Sequence, residues 1–232
     1  MVKVRVLAFA TAGQLLGGNR DVELADGARL SDLKRVLEAE NPRWAALWPR
    51  LALAVGGQLR QDDAELQNGV EVALLPPVSG GAPSGGAPSC LSHGPLDLAA
   101  AMREVEAPEL GAVLVFLGTV RNHHGGRPVE KLTYSAYEVL ADERLATICR
   151  ELSAATPGVK VAIRHRLGEV PAGEPSVVIA VASAHREEAY VASRLALERL
   201  KKEAPIWKLE HYADGTADWR EVEPLIPAPA AG

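Results

Sequence analysis

The sequence predicts two α+β units joined by a linker that is rich in glycine and proline. The linker is the clearest feature, because ten of the twenty residues from 76 to 95 are Gly or Pro and none is charged, which is typical of flexible connections. One helix among short strands precedes this segment, and several helices interspersed with strands follow it. We therefore predict a first domain at residues 1–81, a linker at 82–95 and a second domain at 96–232.

Composition excludes several classes of protein. Hydrophobic residues make up 47% of the chain and charged residues 24%, as expected of a globular protein rather than a disordered or collagen-like one. The 25 Lys and Arg against 30 Asp and Glu give a net charge of −5, which disfavours binding to nucleic acid or to a membrane surface. With two cysteines, and no apolar segment typical of a signal peptide or a membrane span, we expect a cytoplasmic protein.

The first 81 residues predict the element order ββαββ. Apolar residues alternate from Val2 to Ala8, which indicates a strand, and a second strand near 22–24 can pair with it as a hairpin. Ser31 is expected to cap a helix that ends at Pro42. The remaining strands are predicted at residues 51–57 and 69–77. One helix lying across a mixed sheet within about 80 residues predicts a β-grasp arrangement.

The second unit is predicted to be an α+β domain of a different fold. Its helices are expected near residues 97–105 and at 141–155 and 187–203. Its strands are expected at residues 111–120, 131–139, 159–168, 175–184 and 206–213. In the last helix, four apolar residues recur with a helical period and predict the face that packs inward. These residues are Ala192, Leu195, Ala196 and Leu200.

Gly80 and Gly81 follow the closing strand of the first unit. Such a pair usually only begins a flexible loop. The alternative is a slender tail, because residues without side chains let a backbone carbonyl enter a narrow channel where any Cβ would clash. A β-grasp domain that ends in Gly-Gly resembles the ubiquitin-like sulfur carriers, and residues 1–81 resemble the small subunit of molybdopterin synthase.

Arg121 opens a glycine-containing loop after a predicted strand, a position where an arginine is often only a surface charge. His123 and His124 in the same loop could suggest a metal site. However, adjacent histidines diverge on an extended chain, and no Cys or carboxylate lies at ligand spacing, so we expect no metal.

Cys90 lies near His93 in the predicted linker, and a mobile segment cannot hold a nucleophile and a base in place. We therefore assign Cys90 no role.

His185 and Arg186 stand where a hydrophobic strand runs into the long helix. Unpaired backbone N–H groups and the positive end of the helix dipole make this position suitable for an anion. His185 adds a donor that can titrate, and Arg186 adds a guanidinium that can donate two hydrogen bonds to one anion. The simpler interpretation is that Ser183 caps the helix and Arg186 pairs with a neighbouring glutamate. Taken alone, the segment leaves both interpretations open.

Lys201 and Lys208 lie on either side of the end of the long helix. Lys201 is in the last turn, where a cation offsets the negative end of the dipole, so by itself it needs no further role. Lys208 lies beside Trp207 after Pro205 has turned the chain, and a lysine held near another lysine in a partly closed site has a lowered pKa. Such an amine can act as an acid or base, stabilise a tetrahedral intermediate or attack as a nucleophile.

The V-R-N-H, S-A-H-R and L-K-x-x-A-P-x-W-K motifs, in this order within residues 96–220, resemble the large subunit of molybdopterin synthase. The chain thus looks like a fusion of the small and large subunits. The resemblance implies a sulfurtransferase of molybdenum cofactor biosynthesis, in which a Gly-Gly thiocarboxylate donates sulfur to cyclic pyranopterin monophosphate and forms the dithiolene of molybdopterin. It implies that Gly81 carries the sulfur. The implied substrate-binding residues are Arg121, His185 and Arg186, and the implied catalytic residues are Lys201 and Lys208.

The same resemblance implies partners but no metal or redox cofactor. It implies an enzyme that adenylates the Gly-Gly tail and loads it with sulfur, and a homodimer formed through the second domain. Because Ala82 follows Gly81, a thiocarboxylate also requires a protease that cuts after Gly81. Alternatively, the uncut chain serves only as a large subunit. Whether the tail enters its own chain or a neighbouring one is left open.

Two functions of other classes compete with this interpretation. The first is a non-catalytic β-grasp binding module tethered to an oligomerisation domain, for which Lys208 would be dispensable. The second is a sulfur carrier for another thiolation pathway, which would use the same tail but would give no reason for the cluster of Arg121, His185 and Arg186.

Overall fold

The computed structural model describes residues 1–76 and 89–220. The chain divides into two compact units, Met1–Pro83 and Ser84–Gly232. Within the described ranges, no helix combines the length and the apolar character needed to cross a membrane.

The first unit is a five-stranded sheet with helices packed against it, so the β-grasp prediction is confirmed. The predicted element order ββαββ is wrong, because residues 1–76 contain one more strand and two more α-helices, one of them between the first two strands. Its strands are β1 Val2–Ala8, β2 Arg20–Leu24, β3 Ala52–Val55, β4 Gln58–Arg60 and β5 Glu71–Leu75. Its helices are α1 Ala10–Leu16, α2 Leu30–Glu40 and α3 Trp44–Leu47. The strand order is β2-β1-β5-β3-β4, with β1 and β5 parallel and the other neighbours antiparallel. Leu33 and Leu37 of α2 share one buried core with Val4 and Val6 of β1, as their periodicities predict.

The predicted helix of the first unit is present, but Ser31 does not cap it. Helix α2 begins at Leu30, and the Asp32 carboxylate accepts a hydrogen bond from the backbone N–H of Arg29 at 2.7 Å. The backbone N–H and the hydroxyl of Ser31 instead donate to the Asp63 carboxylate, at 2.8 and 3.0 Å. The prediction of a Ser31 cap is therefore wrong, because a carboxylate from the loop before β5 takes both donors.

Within residues 89–220, the second unit contains two sheets and three helices. Its strands are β6 Leu91–Ser92, β7 Ala112–Thr119, β8 His123–His124, β9 Arg127–Ala136, β10 Lys160–Arg166, β11 Gly168–Pro171, β12 Pro175–Ser183, β13 Ile206–Tyr212 and β14 Ala217–Arg220. Its helices are α4 Leu98–Val105, α5 Glu138–Ala155 and α6 Arg186–Glu203. The first sheet has the order β6-β10-β12-β7 and the second β11-β9-β13-β14, with β8 paired to β9. The α+β prediction is confirmed.

Strand β12 is buried on both faces. Ile179 and Val181 pack in one core with α5 and α6, whereas Val178 and Ala180 pack in another with α4. Successive side chains of a strand point to opposite faces, so a strand covered on both sides needs apolar residues at every position. This explains the unbroken apolar run that the sequence shows here.

Several boundaries in the second unit differ from prediction. Strand β9 begins at Arg127 rather than at 131, and α5 begins at Glu138 rather than at 141. In α6, three residues of the predicted inward face are buried, but Leu195 is 46% exposed, so its assignment to that face is wrong. Cys90 is buried and β6 pairs with β10. The last residues that were predicted as linker therefore belong to the second unit.

Candidate active site

The second sheet of the second unit holds Lys208 between two other polar side chains. Lys208 lies in β13, opposite Tyr134 of β9 and opposite Arg220 of β14. Residues that face each other across antiparallel strands have Cβ atoms about 5 Å apart and share a face of the sheet. Lys208, Tyr134 and Arg220 therefore lie on the same side of this sheet.

The surroundings of Lys208 lower its pKa below the ordinary value. Partial burial is the main cause, because it disfavours the charged ammonium. The positive charges of Arg121, Arg220 and Lys201 act in the same direction, and the negative charge of Glu210 acts against them. Arg121 and Lys201 are thus within electrostatic range of Lys208, and this amine gives up its proton more readily than a free lysine.

Arg121 and Lys201 reach the site from neighbouring elements. The residue before Arg121, Val120, donates its backbone N–H to the carbonyl of Glu174 at 3.0 Å, which holds the end of β7 beside the start of β12. Lys201 lies in the last turn of α6. Because only Ala204 and Pro205 separate α6 from β13, this last turn ends next to the strand that carries Lys208. Both the Arg121 and the Lys201 side chains are exposed and so can contact a ligand.

His185 and Arg186 do not join this cluster within one chain. His185 is the N-cap residue of α6 and Arg186 is its first residue, and both are exposed. An α-helix rises about 1.5 Å per residue, so Arg186 lies about 22 Å from Lys201 along the helix axis. One chain therefore presents the two parts of the predicted substrate site at opposite ends of α6.

The simpler interpretation of the His185 segment is not what the structure shows. The Ser183 hydroxyl donates to the backbone carbonyl of His185 and does not accept from the first N–H groups of the helix, since α6 has no side-chain cap. Among the described residues, no ion pair to Arg186 is found. The N-terminus of α6 and its two basic side chains are therefore available to an anion.

Glu210 was not singled out from the sequence, although it is the negative charge nearest to Lys208 along β13. It is 4% exposed, and its carboxylate accepts hydrogen bonds from His124 Nδ1 at 2.7 Å, from the Tyr212 hydroxyl at 2.8 Å and from Arg220 Nε at 2.8 Å. Burial works against ionisation, but these hydrogen bonds hold the pKa of Glu210 below its ordinary value. The sequence signal that could have identified Glu210 is its position two residues after Lys208, because residues i and i+2 of a strand lie on the same face.

The structure also bears on three other residues of the sequence analysis. His123 contacts the side chain of Asn122 at 2.9 Å, and His124 contacts Glu210. Within residues 1–76 and 89–220, no group of three or more His, Cys, Asp or Glu is arranged to hold a metal ion. Gly81, the residue predicted to carry sulfur, lies outside the described residues.

The arrangement around Lys208 has a definite chemical capacity. Four cations, Lys208 with Arg121, Lys201 and Arg220, act on one another at a partly buried surface, where attraction to an anion is stronger than it is in bulk water. One of them, Lys208, can exchange a proton near the reacting group. Such a site can bind a phosphate and can stabilise the oxyanion that forms during acyl transfer.

Comparison with known proteins shows which families the two units of the chain resemble. Residues 91–203 match the model described as "MoaE protein", and residues 6–81 match the model of the ThiS family. A molybdopterin synthase catalytic subunit of Aspergillus niger is 44% identical over 130 residues, which cover 56% of this chain and 72% of that protein. The molybdopterin synthase catalytic subunit 1 of Mycobacterium tuberculosis is 39% identical over 136 residues, which cover 58% of this chain and 92% of that protein.

A solved structure gives the same result. The crystal structure of molybdopterin synthase from Staphylococcus aureus is similar to this chain with a TM-score of 0.55 and 36% identity, over 56% of this chain and 95% of that chain. The two family models match the two units in the order that the sequence predicts. The chain therefore belongs to the family of molybdopterin synthase catalytic subunits, with a ThiS-family β-grasp unit fused ahead of the catalytic one.

Proposed function

We propose that this chain is a molybdopterin synthase that transfers sulfur from its own β-grasp unit to cyclic pyranopterin monophosphate. The observation that carries the proposal is the cationic cluster of Lys208, Lys201 and Arg121 in a MoaE-family unit. The same chain contains a ThiS-family match that ends at Gly81. One polypeptide thus supplies a sulfur carrier and the site that uses it.

The charges of the cluster suit this reaction. The substrate phosphate is an anion, and the guanidinium of Arg121 offers paired donors that match its oxygens. We assign proton transfer to Lys208, because burial lowers its pKa. Lys201 supplies fixed positive charge beside it. This division gives the two lysines different roles in one step.

The step in which sulfur leaves the carrier shows where these charges act. The thiocarboxylate sulfur first displaces an oxygen substituent from a substrate carbon, so that a carbon–sulfur bond forms as a carbon–oxygen bond breaks, and it then links carrier and substrate as a thioester. Water attacks the carbonyl carbon, its proton passes to the neutral amine of Lys208, and a tetrahedral oxyanion forms. When the oxyanion collapses, the bond between the carbonyl carbon and sulfur breaks, so the carrier leaves as a carboxylate and the substrate keeps a thiolate. Lys201 and Lys208 stabilise the oxyanion, and two such transfers give the dithiolene.

The proposal requires a free carboxylate at Gly81, because only a terminal carboxylate can be adenylated and converted to a thiocarboxylate by a loading enzyme. A protease cut after Gly81 provides it, in a segment without charge or bulk. Mass spectrometry of the protein from its own host is expected to find a fragment that ends at Gly81. Synthase activity in a sample that contains only intact chains would contradict this part of the proposal.

We also propose that the active form is a homodimer built through the second unit. Strand β7 lies at the end of its sheet, and α6 beside it exposes the large apolar side chains of Tyr190, Val191 and Leu195. Val113 and Leu117 are also exposed, on the other face of β7. A groove of about 860 Å³ lies between the same two elements. An exposed apolar surface of this kind is typical of a protein interface.

The dimer accounts for the distance between the two parts of the substrate site. The start of β7 lies next to Ser183, two residues before His185, because Ala112 pairs with Ser183. The end of β7 leads to Arg121. If β7 pairs with its copy around a two-fold axis, the strands are antiparallel, and the start of one lies beside the end of the other. The second chain's His185 and Arg186 then reach the Arg121 end of the first chain.

The test of the proposed function is a sulfur-transfer assay with the chain cleaved after Gly81 and thiocarboxylated. Lys208→Ala is expected to lower the rate by about 100-fold or more, as loss of an oxyanion-stabilising group does. Lys131→Ala is the matched control, because Lys131 lies in the adjacent strand β9, at a position that points to the opposite face from Tyr134. Equal activity of Lys208→Ala and the control would refute the catalytic proposal and favour a binding module.

A further inference from the structure

We propose that Glu210 is a positioning residue of this site, which supplies the negative charge that faces Lys208 and fixes Arg220 beside it. The inference rests on the proposed function, because it concerns the same site. It gives a role to a buried carboxylate that the motifs did not indicate. It also gives a role to His124, one of the two adjacent histidines that the sequence left without one.

The first step is that the Glu210 carboxylate is held in one orientation. A buried charge is stable only where hydrogen bonds replace its hydration, and three donors surround this one. His124 must donate through Nδ1, because the carboxylate has no proton to offer. The His124 ring is thereby held against the Glu210 carboxylate.

The second step is that Glu210 orients Arg220. The guanidinium donates through Nε to Glu210 at 2.8 Å and through a terminal nitrogen to the Tyr212 hydroxyl at 2.5 Å. Two charge-assisted or short hydrogen bonds at different nitrogens restrict its rotation. Arg220 faces Lys208 across β13 and β14, so its position determines how strongly it repels the ammonium.

The third step is the balance of charge at Lys208. The groups that face it come from five parts of the fold: Arg121 after β7, Tyr134 on β9, Lys201 on α6, Glu210 on β13 and Arg220 on β14. Burial raises the pKa of Tyr134, so the phenol is neutral. Among the charges that act on Lys208 from residues 1–76 and 89–220, Arg121, Arg220 and Lys201 are positive and the Glu210 carboxylate is negative. Removing that carboxylate leaves the cations without a counter-charge.

Two substitutions with opposite effects test the inference. Glu210→Gln keeps the shape of the side chain and removes its charge, so the pKa of Lys208 is expected to fall by about one unit or more. Arg220→Gln removes a cation and is expected to raise that pKa by a similar amount. The double variant is expected to lie between the two. The control is Glu169→Gln, which removes an exposed carboxylate paired with Lys131 in the same unit, and it is expected to leave the pKa of Lys208 unchanged.

The measurement is the pH dependence of Lys208 acetylation in the full chain, followed by mass spectrometry. It does not depend on activity, so it separates this inference from the proposed function. Shifts of opposite sign in the two single variants support the inference. If the pKa of Lys208 shifts in the same direction in both variants, or does not shift, the inference is overturned. A purely structural disturbance would not produce shifts whose sign depends on the charge that was removed. If Glu210→Gln does not fold, a Lys208 pKa that is not raised in Arg220→Gln overturns it equally.

The pH–rate profile provides the functional readout. If sulfur transfer depends on the protonation state of Lys208, the limb of the profile that Lys208 controls is expected to move to lower pH in Glu210→Gln and to higher pH in Arg220→Gln. Full activity of Lys208→Ala would refute the proposed function while leaving the labelling result valid. Conversely, unchanged labelling together with an inactive Lys208→Ala would refute the role of Glu210 alone.

Discussion

The separation of the two parts of the proposed substrate site leads to a complementation experiment. One variant carries Lys208→Ala, and the other carries His185→Ala together with Arg186→Ala. The first is expected to lose about 100-fold in sulfur transfer. The second loses two charge-assisted contacts and is expected to lose about 100-fold in kcat/KM. Each variant alone is therefore nearly inactive.

Mixing the two variants is expected to restore activity. If each site takes its lysines from one chain and His185 with Arg186 from the other, a mixed dimer contains one site with all the defects and one site with none. Random exchange of subunits at equal amounts makes about half of the dimers mixed, so about a quarter of all sites are intact. The expected activity is about a quarter of the wild-type value, measured under the same sulfur-transfer conditions after subunit exchange.

A second mixture controls for non-specific rescue. Lys208→Ala mixed with Lys201→Ala places one defect in every site of a mixed dimer, because both lysines come from the same chain. This mixture is expected to show no recovery. If the first mixture also stays inactive although mixed dimers are present, the site is not shared between chains, and the reasoning from the length of α6 and the edge position of β7 is refuted.

Three further predictions concern the interface, the substrate and the stability of the second unit. Leu195→Asp is expected to convert the dimer into monomers by light scattering, whereas Val139→Asp, at an exposed apolar position on α5, is not; a dimeric Leu195→Asp protein would contradict the interface. Arg186→Ala is expected to weaken pterin phosphate binding by at least about fivefold, as loss of a contact worth at least about 1 kcal/mol does, and unchanged calorimetric affinity would exclude Arg186 from the site. Burial lowers the pKa of His165 to about 4, from 6.5, so between these values the unfolded chain binds more protons than the folded one. Stability should therefore fall by up to roughly 3 kcal/mol as the pH drops from 6.5 to 4, and His165→Gln should flatten this dependence in urea titrations.

The architecture of each unit could be predicted because the pattern of apolar residues along its strands and helices matches the faces that are buried in the structure. In β12 every residue from Val177 to Ala182 is apolar because both faces are covered, and in β1 alternate residues are apolar because α2 covers one face. Ser31 failed as a cap because its partner, Asp63, is distant along the chain. Leu195 failed as a core residue because helical periodicity cannot distinguish a surface packed inside the chain from one suited to a second chain.

The candidate site was predictable in part. Lys208 and Lys201 stood out because they lie close together in the sequence and the chain turns between them. Arg121 could be added only by resemblance, since the fold brings it to the lysines from a separate strand. Glu210 escaped notice because its importance depends on three donors, Arg220 among them, that no short motif connects.

The central claim is that sulfur carried at Gly81 is delivered to a pterin phosphate at the Lys208 site. The most direct measurement is a single-turnover reaction in which the thiocarboxylate at Gly81 carries labelled sulfur and the label is followed into the pterin product. In the wild-type protein the label is expected to leave the carrier and appear in the dithiolene, and in Lys208→Ala it is expected to stay on the carrier. Label that never reaches the pterin, or that reaches it equally fast without the Lys208 amine, would contradict the account.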